Sequence, residues 1–242
     1  MIQAPFALWV YLSATPLLWL TVTLAAWLAA DWIAARCKRS PLVNPVLVAI
    51  LLVALTLTAT GTPYATYFQG AQFIHFLLGP VTVAIAIPLY RNWPLVRRNL
   101  LPMLAALVAG AITAIGSAGG IALALGVPGP VLASLAPKSV TTGVAMGIAE
   151  ALGGKPSLTA VLVILTGLMG AVAVTPLMNA MGIRDYAARG FAAGLTSHGI
   201  GTARAFSVNP VAGVFAGIAM GLNALLTALL APLLLRMTGL LP

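Results

Sequence analysis

Residues 135–157, LAPKSVTTGVAMGIAEALGGKPS, place a proline, a lysine and the hydroxyl side chains of Ser139, Thr141 and Thr142 inside an otherwise apolar run. Pro137 lacks a backbone donor and disfavours a helical residue before it, whereas Ser139 is a good N-cap. The pattern predicts a helix over residues 140–152 that starts at Ser139 inside the protein. Its first turn offers unbonded N–H groups, the positive end of the helix dipole, three hydroxyls and the ammonium of Lys138, a set suited to an anion. The alternative is that Lys138 snorkels to an interface and Pro137 marks an ordinary loop. Ser139, Thr142, Met146 and Glu150 share one helix face, so Glu150 closes a polar stripe about 16 Å from Ser139. It is a candidate gate residue, or a partner for Lys155.

A second polar island covers residues 184–204, RDYAARGFAAGLTSHGIGTAR. Asp185 and Arg189 have the spacing of an ion pair along a helix, and Gly190 and Gly194 form a small-residue face. Residues 197–204 are too glycine-rich for a stable lipid-facing helix and must be buried in protein or line water. Ser197, His198, Thr202 and Arg204 are therefore candidates for substrate binding. Lys138-Ser139 and Ser197-His198 look like parts of catalytic dyads. Neighbouring residues at a helix start point apart, however, and no carboxylate is placed to orient His198, so the chain is not expected to be an enzyme. No Cys/His group has metal-ligand spacing, and neither a metal nor a cofactor is expected.

The elements that position these islands follow from composition. The chain is 61% hydrophobic and 6% charged over 242 residues, which makes lipid its main solvent. Its formal net charge of +9 comes from short basic clusters between apolar spans, a pattern that reports orientation and not a nucleic-acid partner. A single cysteine, Cys37, excludes an internal disulfide. No basic residue precedes the first apolar run, the reverse of a cleavable signal peptide, so Met1 is expected on the mature chain.

The expected fold is all-α, one polytopic inner-membrane domain over residues 1–242, with about seven spans, two interrupted or re-entrant polar segments and room for an inverted repeat. The first span, residues 8–30, ends before the basic cluster at residues 36–39, which places that end in the cytoplasm. Asp31 is either a solvated helix end or a partner for Arg36. Residues 45–60 return outward, residues 67–75 are an amphipathic approach in which His75 is an interfacial anchor or a proton-linked group, and residues 76–90 run inward to Arg91, Arg97 and Arg98. Residues 100–125 go outward, broken at Gly116-Ser117-Ala118-Gly119-Gly120, where glycines serve close helix packing or unwinding. The organising stretch then runs inward to Lys155, residues 157–179 go out, and the last span, residues 211–236, presents Gly213, Gly217 and Gly221 on one face for helix contact or a homo-oligomer.

In this topology eight of twelve basic residues are cytoplasmic, and the other four, Lys138, Arg184, Arg189 and Arg204, belong to the two islands. Intramembrane cations point to function. LGPVTVAIA at residues 78–86 also weakly echoes residues 135–149.

LAPKSVTTGVAM at residues 135–146, SHGIGTARA at residues 197–205 and Pro88-Leu89-Tyr90 resemble the signature strings of the LrgB/CidB family, and the likeness extends from about Pro45 to Pro232. Gly143 stands where that family usually has proline and Gly199 where alanine is usual, which removes any kink the proline would impose. The resemblance implies one of two functions. One is transport of small carboxylates such as pyruvate or glycolate, as in the plastid glycolate/glycerate transporter, with a small LrgA-type membrane partner. The other is a holin/antiholin-like control of murein hydrolase export and autolysis. Converging positive charge and helix N-termini favour transport.

The N-out reading of the first span predicts that Cys37 faces the cytoplasm. Membrane-impermeant thiol reagents should leave it unlabelled in intact cells and label it in inverted vesicles; labelling of intact cells overturns that orientation.

Overall fold

The computed structural model describes residues 15–40, 43–77, 80 and 86–237, and every regular element among them is a helix. Packing divides the chain into two compact units, Met1–Ala86 and Ile87–Pro242.

The first unit contains α1 (Pro16–Arg36), α2 (Pro45–Thr60) and α3 (Tyr64–Phe76). Part of the expected first span, residues 8–14, lies outside the described residues, and the helix runs on to Arg36. Asn44 starts α2 by accepting from the amide of Val46 at 2.8 Å, and Gly61 stops it in the left-handed region at φ 64°. Trp19 is fully buried on α1 with the Tyr67 ring edge-on at 6.2 Å. Gly70 is the reason α3 can come this close, since a Cβ there would strike the Pro16 carbonyl and Trp19. Asp31 bridges Arg39 at 3.0 Å and not Arg36, whose guanidinium lies 4.6 Å over the Trp32 ring. His75 stands edge-on to Phe68 at 5.9 Å, the packing of an aromatic anchor. Residues 78, 79 and 81–85 of the expected inward span, and with them most of the echo at residues 78–86, lie outside the described residues.

The second unit opens with two short helices, α4 (Ala86–Arg91) and α5 (Trp93–Arg98). It is framed by three long ones: α6 (Leu100–Ala124), α9 (Pro156–Ala180) and α11 (Pro210–Arg236). With α1 these are the helices long and apolar enough to cross a membrane among the described residues, four where about seven spans were expected. Helix α6 is unbroken through residues 116–120: Gly116 and Gly120 face open space, and Gly119 packs near Leu132. The unwinding reading is therefore corrected, and the packing reading holds for Gly119 alone of the three. Met103 and Leu107 of α6 share a core with Phe215 and Ala219, while Ile115 and Ala122 share one with Ala231 and Leu235, so α6 and α11 run parallel.

Between the long helices lie two hairpins. In the first, α7 (Gly129–Leu135) and the turns at residues 136–140 descend along α6, with Leu132 packed by Ala122 and Lys138 reaching Ala114. Then α8 (Thr142–Ala151) climbs back, until the Lys155 amide donates to Ser134 Oγ at 2.7 Å. The segment does not cross the bundle. It returns to the end at which it started, so Lys155 and, by the parallel run of α11, Arg236 stand at the opposite end from Arg97 and Arg98. This corrects the orientation expected for α9 and the grouping of eight basic residues on one side. The physical cause is the break at Pro137, which turns the chain instead of merely interrupting it.

The second hairpin is α10 (Tyr186–Val208), bent at His198, whose backbone has φ 41° and ψ −131°. The limbs at residues 186–197 and 199–208 fold against each other, because a Cβ on Gly201 would strike the Ala193 carbonyl and lie 2.6 Å from Ser197 Cβ. Gly190 and Gly194 on the first limb meet the backbone of Ala212 and Ala216, as their small-residue face predicted. The glycine face of α11 is only partly used: Gly213 packs on Phe206 and Gly217 is buried, but Gly221 faces open space.

The hairpins enter from opposite ends and their tips meet near the middle of α11. There the Asn223 side-chain amide donates to the Leu195 carbonyl at 2.9 Å and to the Ser139 carbonyl at 3.4 Å. Thr227 holds the Asn223 oxygen at 3.3 Å. Leu195 lies just before the bend at His198 and Ser139 in the turn between α7 and α8, so neither carbonyl has the acceptor role of a helix interior. Replacement Asn223→Leu should cost about 1–3 kcal/mol, read as a lower melting temperature of the purified protein; an unchanged melting temperature overturns the assignment. Gly194→Leu, which would strike the Ala216 backbone, should cost at least about 2 kcal/mol, whereas Gly221→Leu should fold normally.

Candidate functional site

Each tip carries polar groups, and the structure distributes them unevenly. At the first tip α8 begins one turn later than Ser139 suggests: Thr141 is the N-cap, at φ −60° and ψ 144°, and its side chain makes no capping bond. The first helical bond is Ala145 N–H to the Thr141 carbonyl at 2.9 Å. The amides of Thr142, Gly143 and Val144 therefore form the open first turn, with the half-buried hydroxyls of Thr141 and Thr142 beside them. Ser139 is buried, and its carbonyl goes to Asn223. The expectation that Ser139 caps the helix is corrected. Pro137 and the turn after it use the residues that would have formed the first helical turn.

Lys138 is half-buried and donates from Nζ to the Ala114 carbonyl of α6 at 2.9 Å. That carbonyl lies in the middle of a 25-residue helix, so the ammonium sits at depth and does not snorkel to an end. An ammonium has three donors, and this bond uses one. Glu150 is exposed near the far end of α8, and the one carboxylate–cation bridge among the described residues is Arg39–Asp31. Glu150 is thus not bridged to Lys155.

At the second tip the buried groups are committed to holding the bend. His198 Nε2 donates to the Val163 carbonyl of α9 at 3.0 Å. It reaches that atom because Gly167 has no side chain: a Cβ there would come within 2.7 Å of the imidazole. Ser197 is fully buried against Gly170, and Thr202 donates to the His198 carbonyl at 2.8 Å. These three side chains fix the shape of the tip.

Arg204 lies nearer the base of the hairpin. It lines a cavity of about 40 Å³ together with Arg189, Thr175, Tyr186, Val174 and Ala212. Lys138 does not line this cavity: it reaches toward α6, whereas Arg204 faces the side walled by α9. The structure therefore keeps the two cations in separate places, each near one hairpin. Arg189 donates to the Thr175 carbonyl at 3.3 Å and to the Asn179 side-chain oxygen. Asp185 caps α10 by accepting from the Ala188 amide at 2.8 Å, so the expected Asp185–Arg189 pair is corrected. The cap is favoured because Asp185 stands outside the helix, with β-region dihedrals at the N-cap position.

Two features escaped the sequence reading. Asn223, with Thr227 one turn later, was visible as a polar pair inside an apolar span. The pairing of Arg189 with Arg204 around one cavity depends on the fold-back at His198, which brings residues 15 apart in sequence to one level.

Residues 23–237 match the LrgB-like family. Among relatives, an uncharacterized protein of Bacillus subtilis (strain 168), YwbG, is 35% identical over 216 residues, covering 89% of this chain and 96% of its own. The holin-like protein CidB of Staphylococcus aureus (strain Mu50 / ATCC 700699) is 29% identical over 228 residues, covering 93% and 97%. The same name belongs to a relative from Staphylococcus epidermidis (strain ATCC 12228 / FDA PCI 1200), 29% identical over 197 residues, 81% of this chain and 86% of the relative. No solved structure matches. With a family match over most of its length, two opposed hairpins and several membrane-length apolar helices, the chain is a membrane protein that belongs to the LrgB-like family.

Proposed function

We infer that this chain is a transporter of small carboxylates such as pyruvate or glycolate in the inner membrane, and that it catalyses no covalent chemistry. The observation that carries the reading is the meeting of two half-depth hairpins at Asn223, with the open first turn of α8 and the Lys138 ammonium at one tip. Interrupted helices of this kind offer backbone donors at depth, where a carboxylate has no water to replace them. In the proposed mechanism Lys138, Thr141 and Thr142 hold the carboxylate at the first tip. Arg204 and Arg189 attract it at the base of the second hairpin, and movement of one hairpin against the other changes which side the site faces. Ser197, His198 and Thr202 keep the second tip in shape, and Glu150 gates the opposite end. The inverted entry of the hairpins supports an inverted repeat over the second unit. A small LrgA-type membrane protein is the proposed partner.

The holin-like name of the staphylococcal relatives favours a second reading, in which the chain controls murein hydrolase export and autolysis. Uptake of labelled pyruvate, glycolate and lactate into proteoliposomes, with and without a pH gradient, separates the two. Lys138→Ala and Arg204→Ala should each reduce uptake at least about tenfold in folded, inserted protein, since a charge-assisted hydrogen bond is worth roughly 1.5–3 kcal/mol; Ser139→Ala should reduce it less. Parental rates in both alanine variants overturn the carboxylate site. Release of a trapped dye without uptake of any carboxylate supports the holin-like reading.

A further inference from the structure

A lengthwise groove in the second unit is used by neither hairpin tip. It lies between α6 and the first limb of α10, has a volume of about 380 Å³, and is lined by Asn99, Pro102, Ala106, Gly110, Phe191 and Thr196, among others. From Asn99 to Gly110 it follows α6 for eleven residues, or about 16 Å, which is half of a hydrocarbon core about 30 Å thick. Its walls are almost wholly apolar, so water and a free carboxylate gain little there.

The charge is at the mouth. Arg97 and Arg98 immediately precede Asn99, and Arg184 immediately precedes Asp185, which also lines the groove; all three arginines are exposed. The opposing charge is Asp185, whose carboxylate is engaged with the Ala188 amide at the start of α10. The mouth thus carries three cations against one capped anion. A partner helix is about 10–12 Å across and over this length would need more than roughly 1,000 Å³, so the groove suits an extended chain instead.

We propose that this groove binds one acyl chain of an anionic phospholipid from the leaflet at the Asn99 end, with the phosphate held by Arg97, Arg98 and Arg184. The chain lies against Pro102, Ala106 and Phe191 and ends beside Thr196, two residues from the bend at His198. Bound lipid therefore packs against the first limb of the second hairpin and favours the conformation seen here. This assignment depends on membrane residence alone and is independent of the transport reading.

Native mass spectrometry of the full chain, purified from nanodiscs of mixed phosphatidylglycerol and phosphatidylcholine, tests it. The parent should retain phosphatidylglycerol in preference to phosphatidylcholine. Arg97→Gln with Arg98→Gln should lower that preference about fivefold or more, since each basic residue near an anionic headgroup is worth about that factor. Ala106→Trp, on an exposed wall of the groove, should remove the retained lipid. Ala109→Trp, which is exposed on the same helix but does not line the groove, should not. Equal retention of the two lipids by the parent, an unchanged preference in the double arginine variant, or displacement by Ala106→Trp of a bound polypeptide in place of lipid would each overturn the proposal.

Discussion

Broken backbone at membrane depth has to find partners, and the second unit is arranged around that requirement. One helix ends at Leu135 ahead of a turn that holds Ser139 and another bends at His198 just after Leu195, and in hydrocarbon each carbonyl left without a partner would cost several kcal/mol. One side chain, Asn223, serves both. It can do so because α11 passes both tips at half its length, so the position of a single amide fixes how deep each hairpin enters. Thr202 and His198 make the same kind of repair locally, returning the hydroxyl and the imidazole to backbone carbonyls.

Close approach makes those repairs reachable. Gly167 and Gly170 clear α9 for His198 and Ser197, and Gly190 and Gly194 let the second hairpin lie directly on the α11 backbone. The dispersion gained there replaces the hydrophobic drive that lipid does not supply between helices. Cations are placed on the margins of this packing. Lys138 is tied to α6, Arg189 to α9, and Arg204 opens onto a small cavity.

Much of this was legible in the residues. Composition gave the solvent, and the apolar runs located α2, α6, α9 and α11 to within a residue or two, because each is bounded by Pro, Asn or Gly with a definite backbone preference. The polar islands were also found, since a lysine and a glycine-rich histidine segment have no place facing lipid. Direction was lost. Whether a proline-broken segment crosses or returns is decided by contacts such as Ser134 with Lys155 and Ala193 with Gly201, which no local pattern encodes. The choice of N-cap was lost for a related reason: Ser139 and Thr141 are both good caps, and the turn geometry after Pro137 selects the second. That Lys138 and Arg204 stand apart was not legible either, because it required knowing on which side of each hairpin its neighbouring long helix lies.

The order of synthesis gives Asn223 a further consequence. Its partners precede it by 84 and 28 residues, so both hairpins emerge from the ribosome before the residue that satisfies their tips. Until α11 is inserted, the nascent chain carries two unfinished loops that cannot settle at their final depth. The last of the described helices thus completes those that come before it: a chain cut short ahead of residue 223 keeps α6 and α9 but loses the second half of α11, and neither tip is anchored.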